Sequence, residues 1–380
     1  MLRRLAVVAS LAACGSEPAT LEIAPPGDGT PALIAYRDGT GPWITPARDA
    51  AGRYELVVHD DYELWRICTG PGGVLVVEGV RATVADPVPI LQRADGTDCV
   101  RPAAAPATAL VSGILLQAGT VSITGVPQTS TSPSGWRFVL GAELGHRELI
   151  ASDYDRFATF VATRIVRFGL DVGVGDEVGN IDLAAALPVG ARSATVTGVA
   201  ADADVFGDVT LATALGNTTT LAGLEGGSHT LGIPMFAQSP GDVVTSSFTA
   251  RRDDVEQTAR LHEPSVAESV ELLAPAPAEL DRTGTVTWRA IDDRLHYVEV
   301  IVTATPCPGC VVQHRVAASR GWLEHHGDHA LSLVSEVPPG FDPAWGLDLA
   351  QATTAAFAIR AAIDGIEYET STALALPSPN

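Results

Sequence analysis

The 380-residue sequence predicts an all-β chain of tandem small antiparallel β-sandwich domains, preceded by an N-terminal segment of different character. Three observations predict it. Short apolar runs are broken at close intervals by Gly, Asp, Pro and Ser. Within several runs apolar and polar residues alternate with period two, as in half-buried strands. A five-residue pattern also recurs at the spacing of small β-domains.

In chain order, strand-like runs occupy Leu33 to Tyr36, Tyr54 to His59, Tyr62 to Cys68 and Val74 to Val80. Others are Leu110 to Gln117, Trp136 to Leu140 and Phe157 to Arg167. His296, Val298, Val300 and Val302 form one mostly Val side of a run. Tyr297, Glu299, Ile301 and Thr303 form the other. Hairpin signals punctuate the pattern. Asp364-Gly365 joins Ala355–Ile363 to Ile366–Leu376, because Asp-Gly tolerates positive φ. Arg251 to His262 lacks a helical apolar stripe, so it reads as a hairpin turning at Asp253-Asp254. Asp342-Pro343-Ala344-Trp345 starts a single helical turn. Gly119-Thr120-Val121-Ser122-Ile123 is matched by Gly207-Asp208-Val209-Thr210-Leu211 and by Gly284-Thr285-Val286-Thr287-Trp288, at intervals of 88 and 77 residues. Linkers near 104–107, 187–192 and 263–267 then divide the chain into sandwiches over 31–105, 106–188, 189–264 and 265–380.

The N-terminus has its own logic. Met1-Leu2-Arg3-Arg4 is basic, Leu5 to Ala13 is apolar, and small residues precede Cys14. That is the order of a secretory signal, and the apolar run is far short of the roughly 20 residues a spanning helix needs. Leu11-Ala12-Ala13-Cys14 resembles the lipobox of bacterial lipoproteins. The resemblance implies a signal peptide over 1–13 and a lipidated Cys14 opening a flexible tether over 14–30. Several acyl chains together anchor a protein stably. Gly15 rather than Asp after the cysteine points to the outer membrane. With its strand density, the chain resembles multi-domain surface lipoproteins built from immunoglobulin- or fibronectin-like modules.

Composition narrows the chemistry. Net charge is −21, and loss of Arg3 and Arg4 with the signal takes it to −23. Such a surface repels phosphate backbones and excludes nucleic acid as a partner. All 24 basic residues are arginine. Without lysine there is no P-loop or kinase lysine, no pyridoxal Schiff base and no Ser-x-x-Lys acyl transfer.

Cys68, Cys99, Cys307 and Cys310 remain after Cys14, an even number in an exported chain. Four cysteines allow three pairings. The local one, Cys68–Cys99 and Cys307–Cys310, keeps each pair within one proposed domain. Cys307-x₂-Cys310 followed by His325 and His329 has zinc-site spacing. However, Gly327-Asp328 between the histidines disfavours the helix that would align them. Pro308-Gly309 suits the centre of a β-turn, whose ends lie within disulfide reach. The expectation is therefore a disulfide that clamps a hairpin turn. A thioredoxin-like redox pair is disfavoured, because strand follows strand where that motif needs a helix.

His325, His326 and His329 stand apart as a loop cluster of transition-metal ligand types. Asp202, Asp204, Gly207 and Asp208 resemble the start of a calcium loop, although Phe206 takes a ligand position and Thr213 replaces the bidentate Glu. Trp43, Trp65, Trp136 and Trp288 are candidates for stacking on sugars, though strand aromatics usually belong to cores. No Gly-x-Ser-x-Gly elbow or His-Glu-x-x-His pair occurs in the sequence. The leading expectation is a non-enzymatic, lipid-anchored envelope protein without a cofactor, whose β-domains act as spacers or as adhesion or binding modules for an envelope protein or a glycan. The alternatives are a metal-binding or metal-dependent hydrolytic protein using His325, His326 and His329 (Zn, or Ca at the Asp202 loop), and a glycan-binding module.

Overall fold

The computed structural model describes residues 18–23, 30–50, 53–70, 73–88, 99, 107–130, 137–153, 159–173, 176–186, 188–224, 229–262, 268–289, 291–327, 329–334 and 336–377. The signal segment 1–13, Cys14, Trp136, Asp328 and the linkers at 104–106 and 263–267 lie outside these residues. The fold is all-β, as the alternation predicts. It divides into two compact units. One comprises 104–272 with 362–368, and the other 2–103, 273–361 and 369–380.

The chain opens in the second of these with β1 (Ala19–Ile23), β2 (Leu33–Asp38), β3 (Tyr54–Val58), β4 (Asp61–Thr69) and β5 (Leu75–Thr83). β1 corrects part of the tether assignment. It pairs antiparallel with β3, from Ala19 against Val58 to Ile23 against Tyr54. The reason is local: Leu21 and Ile23 alternate with Thr20 and Glu22, and both join the core of this segment. Tyr54, Leu56 and Val58 alternate inward along β3 and meet Tyr36, Tyr62, Leu64 and Val80 from β2, β4 and β5.

The other unit holds β6 (Thr108–Leu115), β7 (Gly119–Ile123), β8 (Val126–Ser130), β9 (Arg137–Glu143), β10 (Gly145–Asp153), β11 (Thr159–Val161), β12 (Ile165–Val172) and β13 (Asp176–Ile181). The expected run Phe157 to Arg167 is thus split between β11 and β12. Sheets ordered β12-β10-β7-β8 and β13-β6-β9 enclose Val111, Leu115, Val121, Phe138, Leu149 and Ile181 as a sandwich core. There follow β14 (Gly190–Thr197), β15 (Asp204–Ala212), β16 (Thr218–Leu224), β17 (Thr230–Met235), β18 (Val243–Arg252), β19 (Val255–His262) and β20 (Ser269–Glu271). Strands β11-β16-β15-β18-β19 lie side by side in one sheet, and β17-β14-β20 form another. The β18–β19 hairpin turns at Asp253-Asp254, with Asp253 at φ 49°. Asn217 ties the two halves of this unit together. It is fully buried, and its amide donates to the carbonyls of Glu148 (3.0 Å) and Ser122 (3.4 Å). Arg167 bridges Glu148 (2.8 Å) and Asp242 (2.5 Å) nearby.

The chain then returns to its first unit with β21 (Ala278–Leu280), β22 (Thr285–Trp288), β23 (Tyr297–Cys307), β24 (Cys310–Ser319), helix α1 (Arg320–His326), β25 (Ala330–Ser332) and β26 (Ala352–Ile363), followed by β27 (Ile366–Ala373), the turn end of this last pair, 362–368, belonging to the other unit. Asp342 caps a 3₁₀ turn over Pro343–Trp345, as expected. The β26–β27 turn is Asp364-Gly365, at φ 51° and 79°. β23 pairs antiparallel with β24 and with β26. β24 runs parallel to β5, from Val312 against Leu75 to Ala318 against Arg81. Segments 31–105 and 265–380, separate sandwiches on the sequence, therefore share one sheet in one unit. A parallel pairing needs no hairpin and leaves no turn signature between its strands.

This sheet carries a buried row of alternating charge. Arg66 on β4 meets Glu78 on β5 at 2.5 Å, with 2 % of each side chain exposed. Glu78 stands in register with Arg315 on β24. Arg315 lies 3.7 Å from the fully buried Glu299 on β23. Glu299 is 2.8 Å from Arg360 on β26, which is 2.7 Å from Glu369 on β27. Buried charges survive only in such balanced company.

Candidate functional site

The local order Tyr54–Val58, His59-Asp60-Asp61, Tyr62 folds as β3, a tight turn and β4. The turn is pinned by backbone hydrogen bonds. The Asp61 carbonyl accepts from Gly39 N (2.8 Å), and the Asp60 carbonyl accepts from Val84 N (2.9 Å). Asp38 closes the other side, with one carboxylate oxygen taking His59 N (3.0 Å) and the second 2.6 Å from His59 Nδ1.

Helix α1 approaches this turn from the far end of the sequence. Its presence corrects the expectation of a loop around the histidines. Ser319 is the N-cap, its hydroxyl accepting from Trp322 N. Gly327 ends the helix at φ 104°, and the two histidines occupy the last turn, where a helix C-terminus favours them. The glycine that counted against a helix across the histidines instead stops one just after His326. Leu323 is buried beneath α1, and the Asp86 carboxylate accepts from Gly321 N (2.9 Å).

The result is a junction of residues 264 and 265 positions apart. His325 Nδ1 lies 2.9 Å from Asp61 Oδ1, and His326 Nε2 lies 2.7 Å from Asp61 Oδ2. The His326 ring stacks on Trp322 at 4.4 Å between centroids, and Arg81 lies over the other ring of that pair at 5.5 Å from the Trp322 centroid. The hydrogen bond to Asp61, followed by its charge and those of Asp60 and Glu324, raises the His325 pKa above the ordinary histidine value. Ligand atoms of Asp60, Asp61 and His325 all lie within 4.8 Å of one another, close enough for the three to share one ion. Half of the His325 side chain and a fifth of Asp61 face solvent.

The other sequence-selected residues are placed as follows. His329 does not join the cluster. It lies beside a separate cavity of about 300 Å³ lined also by Asp292, Asp293, Arg320 and Glu324, and its carbonyl accepts from Trp288 N (3.1 Å). Cys307 and Cys310 are paired across the β23–β24 turn at a Cα separation of 5.1 Å, with Gly309 at φ 80°. Cys68 is paired with Cys99 at 4.8 Å. Both separations fit a disulfide. The zinc set of Cys307, Cys310, His325 and His329 is ruled out by length. β24 carries the chain about 30 Å from Cys310 to Ser319 before α1 begins, and α1 spans only about 10 Å.

The calcium loop is also corrected. Asp204 and Asp208 lie along β15, about 13 Å apart, so no loop gathers them. Asp208 is engaged by Thr210 (2.9 Å) and Ser247, and Asp202 by Arg252 (3.1 Å). Trp65 and Trp288 are core residues at 4 % and 3 % exposure, against Phe341 and Phe357, and offer no platform for sugars. Trp43 is half-buried beneath Arg37.

Sequence reading missed Asp60 and Asp61. The available signal was an acidic pair at the turn between two alternating runs, with nothing to link it to a histidine pair so far along the chain.

No family model matches the chain, and no curated protein matches it. A solved structure described as a tetra-tandem repeat in the extending region of a large adhesion protein aligns with 96 % of this chain and 97 % of its own, at 13 % identity and a TM-score of 0.13. A score that low bears on neither fold nor function.

Proposed function

We propose that the chain is a lipid-anchored, non-enzymatic protein of the bacterial cell envelope whose β-units act as adhesion or binding modules for another envelope protein. The observation that carries the binding role is an apolar outer face on the β6–β9 pair. Leu110, Ile114 and Val139 are 62 %, 37 % and 52 % exposed, while Val111, Leu115, Phe138 and Leu140 fill the core behind them. Contiguous exposed apolar surface marks interaction sites. Among the described residues β9 is the end strand of its sheet, which leaves its outer backbone edge to pair with a partner's strand. The lipobox-like order ending at Cys14 supports the anchor. Burial of Trp65 and Trp288 disfavours the glycan reading.

Two experiments test the two halves. Incorporation of a palmitate analogue should disappear in Cys14→Ser, and persistence would overturn the anchor. Cells bearing the chain should attach to immobilised envelope from the same strain, and Leu110→Asp with Val139→Asp should reduce that attachment. Both side chains point outward, so circular dichroism should be unchanged. Undiminished attachment by the double variant would overturn the role of this face.

A further inference from the structure

We propose that Asp60, Asp61 and His325 form a binding site for a divalent transition-metal ion of the zinc class, with His326 positioning Asp61. This site is independent of the apolar face on β6 and β9 and goes beyond a role in adhesion.

Geometry is the first argument. Metal–ligand bonds to imidazole nitrogen and carboxylate oxygen are about 2.0–2.2 Å, so two ligands of one ion lie up to about 4.4 Å apart. The three ligand atoms already lie within 4.8 Å, and His325 Nδ1 and Asp61 Oδ1 are 2.9 Å apart, close to the edge of a coordination polyhedron. Rotation of exposed side chains closes the remainder.

Preorganisation is the second. The Asp60-Asp61 backbone is held by Gly39 and Val84, and α1 is held by its Ser319 cap and by Asp86. His326 contacts the other oxygen of Asp61 at 2.7 Å and is itself stacked on Trp322. A ligating carboxylate fixed by an outer hydrogen bond is a recurrent feature of metal sites.

Charge and ligand type select the ion. Asp60 and Asp61 place two carboxylates together, and Glu324 lies on the same helix as the histidines. A dication relieves their mutual repulsion. The imidazole ligand disfavours Ca²⁺ and Mg²⁺, which take oxygen, whereas two carboxylates and one imidazole suit Zn²⁺ and its neighbours. Water would complete the coordination on the exposed side.

The test is calorimetric titration of the full, chelator-treated chain with Zn²⁺ and, separately, with Ca²⁺. One Zn²⁺ per chain is expected at this site. Asp61→Asn and His325→Gln should each weaken binding by a hundredfold or more, and His326→Gln by about tenfold with stoichiometry retained. His146→Gln, which alters an exposed histidine paired to Asp171 elsewhere, should change nothing. Circular dichroism should be the same for all four variants. Co²⁺ should also quench Trp322 fluorescence in the wild-type chain and not in His325→Gln. Failure to bind Zn²⁺, or binding unchanged by Asp61→Asn and His325→Gln, would overturn the site. Preference for Ca²⁺ would overturn the assignment of metal class, and an unaffected His326→Gln would remove its positioning role.

Discussion

The row of buried charge across β4, β5, β24, β23, β26 and β27 makes a quantitative prediction. Reading along it, Arg66, Glu78, Arg315, Glu299, Arg360 and Glu369 alternate in sign and sum to zero. Glu78→Met removes the carboxylate 2.5 Å from Arg66, whose side chain is only 2 % exposed. Breaking a buried pair in this way costs about 3–5 kcal/mol. Arg66→Met should fall at the lower end, because Glu78 keeps Arg315 in register beside it. Burial already pushes the Glu78 carboxyl upward against the pull of Arg66, so loss of that arginine favours its protonated form. The double variant removes one charge of each sign and leaves Arg315, Glu299, Arg360 and Glu369 still balanced. It should cost less than Glu78→Met alone, giving a coupling of about 3 kcal/mol. Urea unfolding followed by tryptophan fluorescence reads this out, since Trp43, Trp65, Trp288, Trp322 and Trp345 all lie in the segments of this unit. The reasoning fails if the double variant costs the sum of the two single ones.

Two further outcomes follow from buried polar groups. Burial depresses His314 to about 4. The unfolded chain takes up that proton near pH 6.5 while the folded chain does not, so its stabilisation is full above 6.5 and is lost as pH falls towards 4. The loss is about 3 kcal/mol, and a plot of urea midpoint against pH should be flatter for His314→Leu over that range; an unchanged slope would contradict it. Asn217→Ala removes two buried hydrogen bonds, to the carbonyls of Ser122 and Glu148 (the latter still accepts from Thr124 N at 3.1 Å), and should cost about 1–3 kcal/mol. Amide exchange in β7 and β10 should quicken, and unaltered exchange there would show that Asn217 is not what ties the two halves together.

Much of the fold was legible because its signals are local. Tyr54, Leu56 and Val58 alternate with Glu55 and Val57, and the structure buries the first set and exposes the second. Asp253-Asp254, Asp364-Gly365 and Pro308-Gly309 mark turns because positive φ restricts which residues can stand there. What was not legible depends on distance in sequence. The burial of charged strand residues such as Arg66, Glu78 and Glu299 has no local signal, because each is balanced by a residue on another strand. The parallel match of β5 with β24 has no connecting turn to announce it. The site shows both cases. His325 and His326 stood out by type, but Asp61 became significant only when folding brought it to them. The helix beneath them was hidden because its single buried apolar residue, Leu323, makes no periodic stripe.

The position of the Asp–His cluster gives metal binding a thermodynamic consequence. Asp60 and Asp61 lie at the start of β4, and His325 lies beyond the end of β24. They meet because β5 and β24 pair, with Asp86 after β5 then reaching Gly321 at the start of α1. The unfolded chain holds these ligands some 264 residues apart, where closing so long a loop is entropically costly. An ion bound at this site therefore favours the folded unit over the unfolded one. At a free Zn²⁺ concentration a hundredfold above its dissociation constant, the stabilisation is about 2.7 kcal/mol. The tryptophan-reported urea transition should move upward by that amount in the wild-type chain and stay fixed in His325→Gln. If the wild-type transition does not move while calorimetry shows Zn²⁺ bound, the ligands are not the long-range set. The ion would then be held by residues that remain together in the unfolded chain.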